Sequence, residues 1–350
     1  MPHARRFQAR FAAALLALAL IASACGGSDD DGGLSAAPAT PVGGDIVLAT
    51  PEDDATPAGS TTEADSENGD GADGGTESET TSEATDDAAP ASVPEDPGPT
   101  PTAVLPPGTI ELLRPEVIET YPHDITAYTQ GLEVMDGLLL ESTGRQGHPG
   151  GDVVYESDVR RVDIATGEVV QRADAPGTVF GEGLTRVGDE LIQITWQDQR
   201  AFWWDAETFE FLREVSYEGQ GWGLCFDGER LVMTDGSEKL FFRDPVTFDL
   251  IGEIRVTQSG TPIASLNELE CIDGKVWANV YRTDFIIRID PDTGFVDGIV
   301  DAASLEQPRV QPTEVLNGIA WDAETDTWLV TGKFWPTMYR VRFVSDGITN

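Results

Sequence analysis

Five short strings decide how this chain folds: Gln130-Gly131-Leu132-Glu133, Glu182-Gly183-Leu184-Thr185, Trp222-Gly223-Leu224-Cys225, Glu268-Leu269-Glu270-Cys271 and Asn317-Gly318-Ile319-Ala320. Their first residues are 52, 40, 46 and 49 positions apart. A turn with Asp or Gly usually follows each string, as at Met135-Asp136-Gly137 and Ile272-Asp273-Gly274. A second apolar run comes next: 138–140, 191–195, 231–234, 276–280 and 328–331. A third run leads to an Asp-x-x-Thr turn at Asp163, Asp205, Asp244 and Asp290. Asp322 begins a similar string but sits in the earlier hairpin of its repeat. Short alternating runs cut by Gly and Asp are the pattern of antiparallel β structure. Repeats of this length with about four strands each predict an all-β fold, a five-bladed β-propeller over residues 109–350. The fifth repeat has only three strands of its own. Residues 116–121, Glu-Val-Ile-Glu-Thr-Tyr, are expected to supply the fourth and close the ring from its N-terminal side.

Charge divides the chain. The 350 residues hold 62 acidic and 22 basic side chains, a net charge of −40. That excludes nucleic-acid binding through a basic surface. It also argues against docking on an anionic membrane. Residues 26–108 hold 19 Asp or Glu and no Lys or Arg. They are rich in Gly, Ser, Thr, Pro and Ala and almost free of large apolar side chains. Such a segment cannot bury enough surface to offset its chain entropy, so residues 25–108 are expected to be a disordered acidic linker. All eight Trp lie beyond it.

Residues 1–24 read as an address. Arg5, Arg6 and Arg10 precede an apolar stretch from Phe11 to Ala22, followed by Ser23-Ala24-Cys25-Gly26-Gly27. A basic start, a short apolar middle and small residues before a cut form a secretory signal. The Cys after small residues resembles a bacterial lipoprotein box, with Ala22 where Leu is commoner. Cys25 is therefore the expected lipidation site, and the protein is expected outside the cytoplasm, lipid-anchored to the cell envelope. The alternative is an ordinary signal with an incidental Cys.

The topology of a blade brings the start of each innermost strand and the end of the second strand to one channel mouth. That mouth would gather Gln130, Glu182, Trp222, Asn267, Glu268 and Asn317 from the openings. The second strands would add 141–143, Thr195, Trp196, Asp235, Asn279, Tyr281, Lys333 and Trp335. Aromatic walls with a few convergent polar groups suit a small-ligand pocket.

At these residues the chain resembles a known family. The strings Tyr128-Thr129-Gln130-Gly131-Leu132, Phe180-Gly181-Glu182-Gly183-Leu184-Thr185, Gln193-Ile194-Thr195-Trp196, Gly221-Trp222-Gly223-Leu224, Leu266-Asn267-Glu268-Leu269-Glu270, Val276-Trp277-Ala278-Asn279-Val280 and Thr331-Gly332-Lys333-Phe334-Trp335-Pro336 resemble the plant and bacterial type of glutaminyl-peptide cyclotransferase. The matches run in order through about residues 115–344. The resemblance implies a five-bladed propeller that converts N-terminal Gln of peptides and proteins to pyroglutamate with release of ammonia. It implies Glu182 as the catalytic carboxylate, Asn267 as an amide or oxyanion partner and Lys333 as the cation near the amide. It implies Gln130, Phe180, Trp196, Trp222, Glu268, Tyr281 and Trp335 as substrate contacts. Tyr128 and Tyr281 stand where the family usually has Phe and Trp. Glu268 and Glu270 are left open between binding the α-ammonium and a structural role. No metal or other cofactor is needed for this chemistry, although the resemblance leaves room for a structural Ca²⁺ in the channel. A monomer acting on peptide substrates is expected.

Two other readings use the same mouth: a metal-dependent lactonase-like propeller hydrolase, and a non-catalytic envelope propeller that binds a peptide end. Asp290-Pro291-Asp292-Thr293-Gly294 lacks the spacing and closing Glu of a Ca²⁺ loop and reads as a turn. Cys225 and Cys271 fall at the same position of adjacent repeats under the alignment above, so no disulfide is expected. His123 and His148 read as loop residues without a partner, in surface or structural roles.

Overall fold

A computed structural model describes residues 108–144, 146–147, 154–305 and 314–349. The signal peptide 1–24, Cys25, the linker up to residue 107 and His148 lie outside the described residues. Within them the runs picked out by alternation form strands, and there is no helix.

In chain order, β1 (Ile110–Pro122) precedes the first repeat. That repeat is β2 (Thr129–Met135), β3 (Leu138–Thr143), the short pair β4 (Gln146–Gly147) and β5 (Val154–Tyr155), then β6 (Asp158–Asp163) and β7 (Val169–Asp174). The second is β8 (Gly181–Val187), β9 (Glu190–Thr195), β10 (Arg200–Asp205) and β11 (Phe211–Ser216). The third is β12 (Leu224–Phe226), β13 (Leu231–Met233), β14 (Lys239–Arg243) and β15 (Leu250–Arg255), followed by a small pair, β16 (Thr257–Gln258) and β17 (Thr261–Pro262). The fourth is β18 (Leu266–Ile272), β19 (Lys275–Val280), β20 (Phe285–Ile289) and β21 (Val296–Asp301). The last is β22 (Leu316–Asp322), β23 (Thr327–Gly332) and β24 (Thr337–Thr349).

The first three repeats are separate four-stranded sheets in the orders β2-β3-β6-β7, β8-β9-β10-β11 and β12-β13-β14-β15. The fourth and fifth join into one eight-stranded sheet, β18-β19-β20-β21-β1-β24-β23-β22. The predicted N-terminal strand is β1. It pairs antiparallel along the whole of β24 and touches β21 in parallel at Glu111–Leu113. The hairpin turns follow the predicted chemistry. Asp163, Asp205, Asp244 and Asp290 each accept, through Oδ1, the backbone N–H of the Thr three residues on, at 2.8–3.0 Å.

Burial follows the repeats. One apolar cluster joins the first and second repeats through Leu140, Val159, Leu184 and Phe202. Others join second to third (Ile194, Trp203, Leu224, Phe248), third to fourth (Val232, Leu240, Leu269, Ile287) and fourth to fifth (Trp277, Ile286, Ile319, Trp328). A further cluster joins fifth to first through Leu329, Met338, Leu132 and Leu139. The first strands β2, β8, β12, β18 and β22 contact one another in the same cyclic succession. Their glycines permit this approach. A Cβ on Gly131 would lie 2.5 Å from Leu184 N, one on Gly183 2.5 Å from Leu224 N, and one on Gly223 would strike the Asn267 carbonyl.

The fourth opening is shifted by one residue from the alignment used above, and this corrects the reading of the cysteines. Asn267, not Glu268, matches Glu182; Glu268 stands where the other openings have Gly. Glu133 therefore corresponds to Glu270 and to Cys225. Glu133 reaches Arg186 N and Glu270 reaches Trp321 N, each in the next repeat. At the same level Cys225 meets Cys271, which sits one position further along its strand. A one-residue shift turns a side chain to the opposite face. Cys225 and Cys271 form a disulfide, contrary to the expectation of none, with Cα atoms 5.5 Å apart.

Candidate active site

Four of the five openings share a local irregularity. The register of the first hairpin slips between Thr129 and Gly131, Gly181 and Leu184, Leu266 and Leu269, and Leu316 and Ile319. Gln130, Glu182, Asn267 and Asn317 all fall in these slips. A bulge releases a residue from the ladder and re-aims its side chain, which is why this feature recurs beside active sites.

Lys333 follows the last residue of β23 and is only 1% exposed. Its Nζ donates to Gln130 Oε1 and lies 4.5 Å from the centre of the Tyr128 ring and 5.7 Å from that of Tyr281. Asn317 Nδ2 donates to the Thr129 carbonyl at 3.0 Å and to Gln130 Oε1 at 3.3 Å. Glu182 is 4% exposed. Burial pushes its carboxyl far above the usual range, and the nearby charge of Lys333 opposes this only in part. The same burial pulls the Lys333 ammonium down to about 7, against the charges of Glu182 and Glu268. A carboxyl and an amine with converging proton affinities therefore share one dry site.

Rings enclose this centre. Tyr128 and Phe180 are 5.9 Å apart edge to face, Phe180 and Trp196 5.7 Å, and Trp222 and Tyr281 5.5 Å. Gln220 Oε1 accepts from both indoles, Trp196 Nε1 at 2.7 Å and Trp222 Nε1 at 3.4 Å. Trp196 is 37% exposed and forms the outer lip. The Tyr128 hydroxyl is held neutral by burial and by its neighbour Tyr281. A cleft of about 520 Å³ continues from Gln220 and Asp235 past Tyr217 to Arg243 and Phe248; neither Glu182 nor Lys333 lines it.

The structure brings together Glu182, Lys333 and Gln130 with the rings of Phe180, Trp196, Trp222 and Tyr281. Asn267 Oδ1, Asn317 Oδ1 and Asn279 Nδ2 are buried without a hydrogen-bond partner among the described residues. Buried amides with spare capacity suit a polar ligand. Glu268 is used differently. Its two oxygens accept Leu132 N at 3.3 Å and Ile319 N at 2.8 Å, so it staples three repeats together. Glu270 and Glu133 are likewise engaged with backbone donors. These carboxylates are committed to the backbone, and among the described residues no group of three or more His, Cys, Asp or Glu could hold a metal ion. The ring of Trp335 is packed into the apolar cluster between the fourth and fifth repeats, behind Lys333.

His123 lies in the loop between β1 and β2, as read above, but it has partners, contrary to that reading. It is buried, with Nδ1 2.8 Å from the Trp335 carbonyl and Nε2 3.2 Å from Glu141 Oε1. Its partners are 18 and 212 residues away, so no local pattern announces them. Gln220 was also missed. Its position just before Gly221-Trp222 is the only hint the sequence offers.

The arrangement can grip a small polar group between aromatic walls, move a proton with a buried carboxyl and donate hydrogen bonds from a lysine and several amides.

Similarity to known proteins points the same way. A family model described as glutamine cyclotransferase matches residues 97–343. A curated glutaminyl-peptide cyclotransferase of Arabidopsis thaliana is 37% identical over 233 residues, covering 65% of this chain and 70% of the relative. The crystal structure of Myxococcus xanthus glutaminyl cyclase is 33% identical and superposes with a TM-score of 0.62, covering 68% of this chain and 100% of that one.

Proposed function

The chain belongs to the glutamine cyclotransferase family and acts as a glutaminyl-peptide cyclotransferase; from that premise we propose how its buried centre does the chemistry. The observation that carries the mechanism is the convergence of Glu182, Gln130 and Lys333 from three repeats into one water-poor site.

The substrate is a peptide whose N-terminal Gln closes on itself. Its α-nitrogen attacks the side-chain amide carbon, forming a C–N bond and a tetrahedral centre with a negative oxygen. Glu182 takes the proton that the attacking nitrogen must lose and gives it to the leaving nitrogen. The old C–N bond breaks and ammonia departs, leaving pyroglutamate. A carboxyl whose proton affinity is raised by burial suits this shuttle, because it can both take up and return a proton. Lys333 and Asn267 stand as the partners of the developing oxygen and the amide. The rings of Phe180, Trp196, Trp222 and Tyr281 hold the side chain folded against its own amine, which supplies the orientation the cyclisation needs. Every role is filled by a side chain. Glu268 supports the site from behind.

We also propose that the repeats are five blades of a propeller, with β1 completing the last. The cyclic succession of contacts among β2, β8, β12, β18 and β22, and of the apolar clusters between repeats, supports that count. Residues 109–350 would be the catalytic domain, carried on an acidic linker from a lipid-bearing Cys25 outside the cytoplasm. The signal-like start of the chain supports export, as does the Cys225–Cys271 disulfide, since such bonds persist in oxidising compartments.

The test is turnover of two peptides that differ only in their first residue, Gln or Asn. Release of ammonia from the Gln peptide alone is expected. Release from neither by the folded protein overturns the reading.

A further inference from the structure

Two acceptors face one histidine. Trp335 offers His123 Nδ1 a carbonyl oxygen, and Glu141 offers Nε2 a carboxylate oxygen. A neutral imidazole carries one N–H and can satisfy only one of them, whereas the imidazolium satisfies both. The geometry therefore calls for the doubly protonated ring. Its two partners lead to the catalytic centre by separate routes. Trp335 lies two residues beyond Lys333. Glu141 also accepts Thr129 Oγ1 at 2.7 Å, and Thr129 precedes Gln130. Backbone bonds brace the same junction: His123 N donates to the Pro336 carbonyl at 3.0 Å and Phe334 N to the Ala127 carbonyl at 2.8 Å.

We propose that His123, as the imidazolium, is a positioning residue that ties Glu141 to the Trp335 carbonyl and thereby holds Lys333 on Gln130. This rests on the role given to Lys333 above. The charged groups facing the pair are few. Asp124 adjoins His123, and the Arg160 guanidinium lies 4.0 Å from Glu141 while gripping Asp158 and Asp124. Burial disfavours the imidazolium, but the Glu141 charge and hydrogen bond, the Trp335 carbonyl and Asp124 outweigh it, and the net direction is upward. Glu141 is held ionised against its own burial by His123, Arg160 and Thr129. The sign follows: the tie is intact below the folded value of His123 and is lost as pH rises through it.

The direct test is nitrogen NMR on the full chain carrying ¹⁵N-labelled histidine. The chain has three histidines, so His123→Asn identifies the ring by subtraction. Both ring nitrogens of His123 are expected to be protonated at neutral pH. A ring with a single N–H there overturns the proposal. Kinetics with a Gln-initiated peptide give the second arm. His123→Ala is expected to lower kcat about tenfold or more, because a small displacement of an aligned group is costly, and to leave KM within about twofold. His123→Asn is expected to recover part of the loss, since its amide can still donate to the Trp335 carbonyl. Unchanged kcat in His123→Ala, or a change confined to KM, overturns the proposal. Failure of the activity reading itself looks different: the wild type turns over no peptide, whatever the NMR shows.

Discussion

Lys333 of the last repeat donates a hydrogen bond to Gln130 Oε1 of the first, and Asn317 Nδ2 donates to the same oxygen, so this junction meets inside the centre proposed for catalysis. The cation has no exposed route for its charge. Among the described residues the charges that favour it are those of Glu182 and Glu268, both buried, and its proton affinity falls to about 7. In the proposed mechanism its placement makes turnover depend on contact between the fifth repeat and the first.

Replacing Glu182 with Gln keeps the volume and removes the proton carrier. Turnover is expected to fall by about 10²–10⁴-fold. Stability is expected to hold or rise. The folded state raises the carboxyl's pKa, so at neutral pH the wild type bears the cost of a carboxyl that water would leave ionised, and the amide does not. Thermal unfolding beside steady-state kinetics checks both halves.

Lys333→Met tests the buried ammonium through stability. The folded state binds this proton more weakly than the unfolded chain does. Between about 7 and the ordinary lysine value the unfolded state therefore holds more protons, and wild-type stability gains with pH in that window. The variant lacks that gain. Its advantage in Tm over the wild type is expected to be largest at or below pH 7 and to shrink toward pH 10. A pH-independent difference contradicts the burial of a titrating amine.

Gln220→Ala removes the acceptor shared by Trp196 and Trp222. The wall loosens while Glu182 and Lys333 stay in place. KM is expected to rise about three- to tenfold with kcat nearly unchanged, the pattern of lost uniform binding. A matching fall in kcat contradicts a purely wall-shaping role.

The Cys225–Cys271 bond closes a loop with a sequence separation of 46. A double Ser variant is expected to lose about 2–4 kcal/mol in denaturant unfolding. Thiol titration of the unfolded, unreduced wild type should detect neither Cys225 nor Cys271.

Gly223→Ala places a methyl on the Asn267 carbonyl. Overpacking of this kind costs about 1–3 kcal/mol. Because it displaces Asn267, kcat is expected to fall as well. The natural control is an alanine at Thr166, where an exposed turn is altered far from the opening strands.

Much of this was legible in the sequence because the deciding signals are local. The Gly after Gln130, Glu182, Trp222 and Asn317 marks each close approach of neighbouring inner strands. The Asp-x-x-Thr turns mark hairpins. The Glu182, Lys333 and Gln130 set was readable because openings and second-strand ends must meet in this topology. The missed disulfide has one cause, which is register. Glu268 in a glycine's place shifted the fourth repeat by one residue and hid the disulfide. The sequence left Glu268 open between binding the α-ammonium and a structural role; its oxygens accept Leu132 N and Ile319 N. His123 and Gln220 were invisible for a different reason. Each matters only through partners that tertiary structure supplies.

The central claim is that Glu182 carries the proton in a buried centre. The most direct measurement follows ammonia and peptide mass together, with wild-type full chain and Glu182→Gln acting on a peptide that begins with Gln. The account predicts one ammonia per peptide cyclised by the wild type, and a folded variant slowed by at least about 10²-fold. Comparable turnover by the two proteins would contradict it.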